Sequence, residues 1–226
     1  MTTTTSTHRA SARWVPFALV VLSLVPAISG SLRLTGLAGG PSLMPVDARI
    51  DASPLPVIVH IATVIPYSLL GAFQFSSRLR QRHPRWHRTA GRLLVPLALA
   101  VAFSGLWITL AYAPKPGSGL LLVGFRIAVG TAMAASVVLG FAAIRHGDVT
   151  RHRAWMTRAY ALALGAGTQA FTGAIGPGLV GTSVLAHDLT MGAAWAINLA
   201  VAEFAVRRGK SRRQPVRVAA SGNATT

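Results

Sequence analysis

Apolar residues occupy this chain in six long runs, each bounded by short polar turns or by clusters of glycine and proline. The runs cover about residues 14–32, 54–76, 93–113, 119–144, 158–175 and 183–206. A helix rises 1.5 Å per residue and a bilayer's hydrocarbon core is ~30 Å thick, so ~20 apolar residues cross it with every backbone amide satisfied inside the segment. The pattern therefore predicts an all-α integral membrane helical bundle with about six transmembrane helices. Local punctuation agrees. Ser53 before Pro54 predicts an N-cap and a first-turn proline. Pro114, Pro116 and Gly117 predict the exit from the third run, and Gly176, Pro177 and Gly178 the end of the fifth. Pro26 and Pro66 fall inside runs, where a missing amide proton predicts a bend.

Composition narrows the class. Of 226 residues, 52% are hydrophobic and 12% charged, too apolar for one ordinary soluble core and too short for several. The 22 Lys and Arg against 5 Asp and Glu would point to nucleic acid in a soluble protein. Here the cations lie between apolar runs, so no nucleic-acid partner is expected. The absence of cysteine excludes a disulfide framework and thiolate metal sites. The first run is read as a retained span rather than a cleaved signal, because its apolar character continues through Leu32, Leu34 and Leu37. The domain reading is a polar tail over 1–13, a six-helix domain over 14–206 and a basic disordered tail over 207–226.

The cations also orient the bundle. Arg and Lys collect on the cytoplasmic side, and eighteen of the 22 fall at one end: in the N-terminal tail, the second turn, the fourth turn and the C-terminal tail. Only Arg33, Arg49 and Lys115 lie at the other end, beside Asp47 and Asp51. Both termini are expected in the cytoplasm and the protein in a bacterial inner membrane. Small residues at helical spacing, Ala132, Ser136 and Gly140, and Ala161 and Gly165, predict close helix crossings.

Three sets of residues carry the candidate chemistry. In the second turn, RQRHPRWHRTAGR, Pro84 opens a helix that places Arg88 and Arg92 on one face with Trp86 as an interfacial anchor. The fourth turn, IRHGDVTRHRAWMTR, repeats the theme with Arg153, Trp155 and Arg158, a faint internal repeat. These turns are expected to meet anionic lipid headgroups or to converge on a small anion. Histidines form the second set. His60 and His187 lie near the outer ends of their helices, and His87 and His152, with His83 and His146, near the cytoplasmic ends. Paired imidazoles at such positions are candidate ligands for haem b. The third set is polar residues inside runs: Arg126, which can snorkel outward, Gln74, Gln169 and Asn198, with Glu203 spaced to pair with Arg207 and Asp188 placed to cap its own helix or pair with His187. Gly176, Gly178 and Gly181 match a dinucleotide spacing but follow no strand, and Asn223 matches a glycosylation acceptor in a tail read as cytoplasmic. No Walker loop, HExxH or nucleophile elbow is present, so neither a hydrolase nor an ATPase is nominated.

Several motifs together carry a resemblance. His60-Ile61, Gly71-Ala72-Phe73-Gln74-Phe75, His83-Pro84, His87-Arg88, Gly91-Arg92, Arg145-His146-Gly147-Asp148, His152-Arg153-Ala154-Trp155-Met156, Asn198-Leu199 and Ala202-Glu203 resemble the bacterial membrane proteins grouped as domain of unknown function 2306. The likeness covers roughly residues 55–206. It implies a multi-helix membrane protein and marks His60, Gln74, His87, Arg88, Arg92, Asp148, His152, Arg153, Trp155, Arg158, Asn198 and Glu203 as site candidates. Gln169 departs from the family pattern, which implies arginine after Thr168. The fourth turn is also similar to small membrane proteins linked to terminal-oxidase assembly. Three functional expectations follow: a protein binding or transporting a small anion or anionic lipid, a bis-histidine haem protein of redox or oxidase assembly, or a structural membrane subunit that contacts a membrane-protein partner or a second copy of itself.

Overall fold

The computed structural model describes residues 7–211, with side chains from 14 to 209, and these residues are helical with short connections. The 1–6 and 212–226 stretches lie outside the described residues, and with them part of the expected N-terminal tail and most of the C-terminal one. The elements are α1 (Thr7–Leu37), α2 (Ala48–Ala52), α3 (Leu55–Gln74), α4 (Ser77–Arg82), α5 (Pro84–Ala111), α6 (Leu120–Arg145), α7 (Val149–Ala163), α8 (Gly165–Val180) and α9 (Val184–Ser211).

Five of these helices, α1, α3, α5, α6 and α9, are long and apolar enough to cross a membrane. Little of each span is buried within the bundle, from 11% in α1 to 39% in α3, and large side chains such as Phe17, Phe103, Phe141, Ile197 and Phe204 point outward. A soluble protein does not expose contiguous apolar faces of this extent, so the outside of the bundle is built for hydrocarbon.

The sixth crossing is made differently from the expectation. The run over 158–175 is not one helix. The helical ladder breaks at Leu164, which ends α7 and caps α8 without a side-chain bond. Nor does it stop at Gly176, Pro177 and Gly178: α8 carries Pro177 inside it and ends at Gly181, whose φ of 84° favours glycine. α7 and α8 together complete the crossing, with α7 starting at the arginine-rich end.

The two halves have different neighbours. α7 packs on α6, α9 and α3, whereas α8 packs on α9 and α1, closing a ring that runs α1, α3, α5, α6, α9, α8. Half of the bundle is consequently filled and half is not. At the α7 level the core holds Tyr67, Leu94, Val137, Ala159, Tyr160 and Leu162. Tyr160 is central: its hydroxyl donates to the Ser68 carbonyl at 2.6 Å, and its ring lies 5.0 Å from Phe75 and 5.8 Å from Tyr67. Gly71 makes room for it, since a Cβ there would lie 2.5 Å from the Tyr160 ring.

Other expectations on packing resolve by residue. Ser136 and Gly140 face α7 or the core as read, with Gly140 against Met156, but Ala132 is exposed because the buried stripe of α6 runs through Met133, Ser136, Val137 and Gly140. Ser53 does not cap α3. It ends α2, and its carbonyl accepts the Tyr112 hydroxyl.

Candidate functional site

The break at Leu164 makes the site. α8 opens with Gly165-Ala166-Gly167, and both glycines are fixed by close approach. A Cβ at Gly165 would lie 2.0 Å from Trp195 Nε1 and one at Gly167 2.2 Å from the Leu22 carbonyl oxygen. α8 is thereby held against α9 and α1, away from the centre of the bundle.

One side chain spans the interruption. Asn198 on α9 donates from Nδ2 to the Ala161 carbonyl of α7 at 3.1 Å, and its Oδ1 accepts the Thr168 hydroxyl of α8 at 2.8 Å. Interrupted backbone inside a membrane is stable only where protein or water takes over the lost hydrogen bonds. Asn198 supplies that replacement to the Ala161 carbonyl of α7 and ties α8 to it through the Thr168 side chain.

Where α8 has moved aside, a cavity of about 440 Å³ lies between α1, α3, α5, α6 and α8 and reaches the loops at the arginine-poor end. From Val57 to Ser68 on α3 it extends over eleven residues, roughly 16 Å along the helix. Its walls are mostly apolar, through residues such as Ile61, Val64, Val101, Val129 and Met133, with Trp195 beside the break. This combination of volume, apolar wall and few polar groups is typical of small-molecule sites.

The polar groups that line it are cationic or neutral. Arg126 on α6, Arg49 and Lys115 line the cavity together with His60, Ser23, Ser68 and Gln169, and among the described residues no Asp or Glu does. Arg49 is already committed. It donates to Asp47 from Nε at 2.9 Å and Nη2 at 2.6 Å, and from Nη1 to the Ala113 carbonyl at 2.8 Å. The adjacent guanidinium holds the Asp47 carboxyl below its usual range, and Asp47 in turn raises Arg49.

Arg126 has no such partner. It lies within electrostatic reach of Asp188 and Arg49 but makes no hydrogen bond or salt bridge among the described residues. Asp188 is occupied elsewhere. Its carboxylate, 2% exposed, accepts the Gly119 amide at 3.0 and 3.1 Å and the Leu122 amide at 3.0 Å, so this α9 residue caps the start of α6. The expected local cap at the start of α9 is instead Ser183, whose hydroxyl accepts the Ala186 amide.

His60 on α3 also lines the cavity. Its Nδ1 lies 3.0 Å from Ser104 Oγ, and Ser104 donates its own proton to the Ala100 carbonyl at 2.5 Å. His187 is not brought to His60: it stands at the start of α9, 3.4 Å from Asp188, and does not line the cavity. Gln169 lines the cavity and donates to the Met191 carbonyl at 3.2 Å, occupying the position where the family pattern implies arginine.

The remaining sequence candidates gather at the arginine-rich end. His87 lies within electrostatic reach of Arg80 and His152, and His152 Nδ1 is 2.8 Å from the Gly140 carbonyl. Arg158 grips Glu203 in a two-point ion pair, 2.5 and 3.1 Å, with its guanidinium 4.7 Å above the Trp155 ring. This pairing ties α7 to α9, where a local pairing of Glu203 with Arg207 was expected. Asp148 caps α7 by accepting the Arg151 amide at 2.8 Å. The Gln74 Nε2 is buried without a partner. The Arg88, Arg92 and Arg153 side chains are exposed and make no hydrogen bond or ion pair with the described residues. His83 and His146 are exposed. No group of three or more metal-ligating side chains occurs among the described residues.

Sequence reasoning thus placed one cavity residue, His60, among its site candidates and set Arg126 aside as a snorkelling residue. The available signal was its charge, since Arg126 is the basic residue set deepest in an apolar run.

No curated protein and no solved structure matches the chain, whereas one family model matches residues 57–206. That segment contains most of the bundle, from α3 through α9, including the break, the cavity walls of α3, α5, α6 and α8, and the ion pair between α7 and α9. The chain belongs to the family described as Predicted membrane protein (DUF2306).

Proposed function

We propose that this integral membrane protein binds an acidic amphiphile, an anionic head on an apolar tail, in the cavity between α1, α3, α5, α6 and α8. With the arginine-rich end in the cytoplasm of a bacterial inner membrane, the cavity opens at the outer leaflet. The observation that carries this reading is Arg126: an exposed guanidinium about two turns into a membrane helix, lining a cavity that, among the described residues, offers it no carboxylate and no partner. A charge at that depth calls for compensation, and the nearest carboxylate, Asp188, is committed to α6's amides. An anion from outside the chain supplies it, while the apolar wall takes the tail. At the opposite end, Arg88, Arg92 and Arg153 lie free to meet anionic lipid headgroups, a contact that needs no pocket.

The test is binding in an uncharged detergent. Bromine-labelled dodecanoic acid quenches indole fluorescence on contact, and Trp195 lines the cavity. Saturable quenching that disappears in Trp195→Phe is expected, with the acid binding better than the matched alcohol. Arg126→Gln should weaken the acid at least tenfold, the scale of a charge-assisted hydrogen bond of about 1.5–3 kcal/mol. Equal binding of acid and alcohol, unchanged in Arg126→Gln, would show that Arg126 only snorkels. A Soret band in the purified protein would instead assign the neighbouring His87 and His152 to haem.

A further inference from the structure

The reading of the cavity as an anion site leaves His60 without a role, and its hydrogen bonding gives it one. Ser104 Oγ spends its proton on the Ala100 carbonyl, at 2.5 Å, and can therefore only accept from His60. With the Ala100 and Val101 carbonyls both in reach of that hydroxyl, at 2.5 and 3.2 Å, we assign the proton of the 3.0 Å contact to Nδ1. The Val101 carbonyl lies against the same ring and also calls for a donor. Nε2 is left as a lone pair and makes no hydrogen bond with the described residues. His60 lies six residues beyond Pro54, and Arg126 six beyond Leu120, so both sit roughly 9 Å inside the same end of the bundle.

We propose that the cavity takes up one proton with each anion, and that His60 Nε2 holds it. The proton comes from solvent and no covalent bond changes. Neutral His60 offers an acceptor to a ligand head that itself has only acceptors, so an ionised acid and the resting tautomer repel. Protonation at Nε2 turns that acceptor into a charged donor, and the anion supplies the negative charge an imidazolium requires. The other charged or titratable groups around the cavity are Arg126 from α6, Lys115 and Tyr112 beyond the end of α5, and Arg49 with its partner Asp47 from the loop before α3. α1, α8 and α9 contribute Ser23, Gln169 and Trp195, none of which titrates in the neutral range. No resident carboxylate facing the cavity stabilises a charged His60 before the ligand arrives, so the proton and the anion enter as a pair.

This inference rests on the anion reading above but fails separately from it. Calorimetric titration near neutral pH, in two buffers of different ionisation enthalpy, counts the protons exchanged per ligand bound. Two probes are used: dodecanoic acid and dodecyl sulfonate, whose head stays ionised and cannot carry the proton. Wild-type protein is expected to take up close to one proton with either probe, and affinity should fall as pH rises, by up to about tenfold per unit. His60→Gln should still bind both probes, more weakly, with no proton uptake.

Uptake with the carboxylate but not the sulfonate would place the proton on the ligand and overturn the role of His60. Binding without proton exchange would overturn the coupling and leave the cavity's anion site standing. Uptake that persists in His60→Gln would assign the proton to another group. Failure of both probes to bind would overturn the anion site and this inference together.

Discussion

Asp47 shows how a single side chain organises the loop above the cavity. It caps α2 by accepting the Arg49 amide and takes two further bonds from the same residue's guanidinium, which reaches on to the Ala113 carbonyl after α5. Because Arg49 lowers the folded-state value of this carboxyl from its ordinary 3.8, its contribution is complete above that value. It is lost as pH falls through the lower, folded one. The pair is partly exposed, 27% for Arg49 and 18% for Asp47, so the effect on global stability should stay below about 1 kcal/mol. The local effect is measurable. Hydrogen exchange in α2, corrected for its intrinsic pH dependence, should accelerate on acidification below the ordinary carboxyl range. In Asp47→Asn it should be fast already at pH values where the wild type is protected. Equal protection of both proteins across that range would remove the clamp.

At the scale of elements, the decisive event is the division of one crossing into α7 and α8. Neither half is long enough to span a membrane alone, and they share α9 but differ in their other support: α7 rests on α6 and is tied to α9 by the Arg158–Glu203 ion pair, whereas α8 is seated by close glycine contacts on α9 and α1. Asn198 joins the halves through Ala161 and Thr168. Replacing it with leucine, of similar volume, leaves a partly buried carbonyl and hydroxyl without this partner, which costs about 1–3 kcal/mol. Asn198→Leu should therefore lower the thermal midpoint in detergent and raise hydrogen exchange across Leu164–Thr168 more than in α3 or α5. A uniform loss of protection would mean that Asn198 supports the bundle generally and not the break.

For the whole molecule, the asymmetry of its cations predicts the orientation of the bundle. The chain contains no cysteine, so single introduced cysteines report sidedness without background. Ser42→Cys lies in the exposed loop before α2, and Arg85→Cys at the exposed start of α5. In intact cells a membrane-impermeant thiol reagent should modify the first and not the second, with the pattern reversed in inside-out vesicles. Labelling of Arg85→Cys from outside would invert the bundle and turn the cavity toward the cytoplasm, since cation asymmetry is what sets the expected orientation.

The sequence by itself determined the class, the approximate crossings and the family, because membrane insertion is governed by local quantities. Run length, the sign of the turns and proline at helix starts are readable within one segment. Pro84 opens α5 with Arg88 and Arg92 exposed along it, as the spacing implied. What it did not contain in readable form was partnership between segments. Asp188 caps a helix begun about seventy residues earlier, Glu203 reaches Arg158 on another helix, and Asn198 bonds two halves of a run that looks continuous. The run over 158–175 gives no sign of its break because nothing local forces it; the tight seats of Gly165 against Trp195 and of Gly167 against Leu22 do. The cavity follows from that displacement, so only the tertiary structure decided that Arg126 and His60 face one space. A charge's meaning in a membrane depends on what stands opposite it, and sequence spacing records neighbours along a helix, not across a bundle.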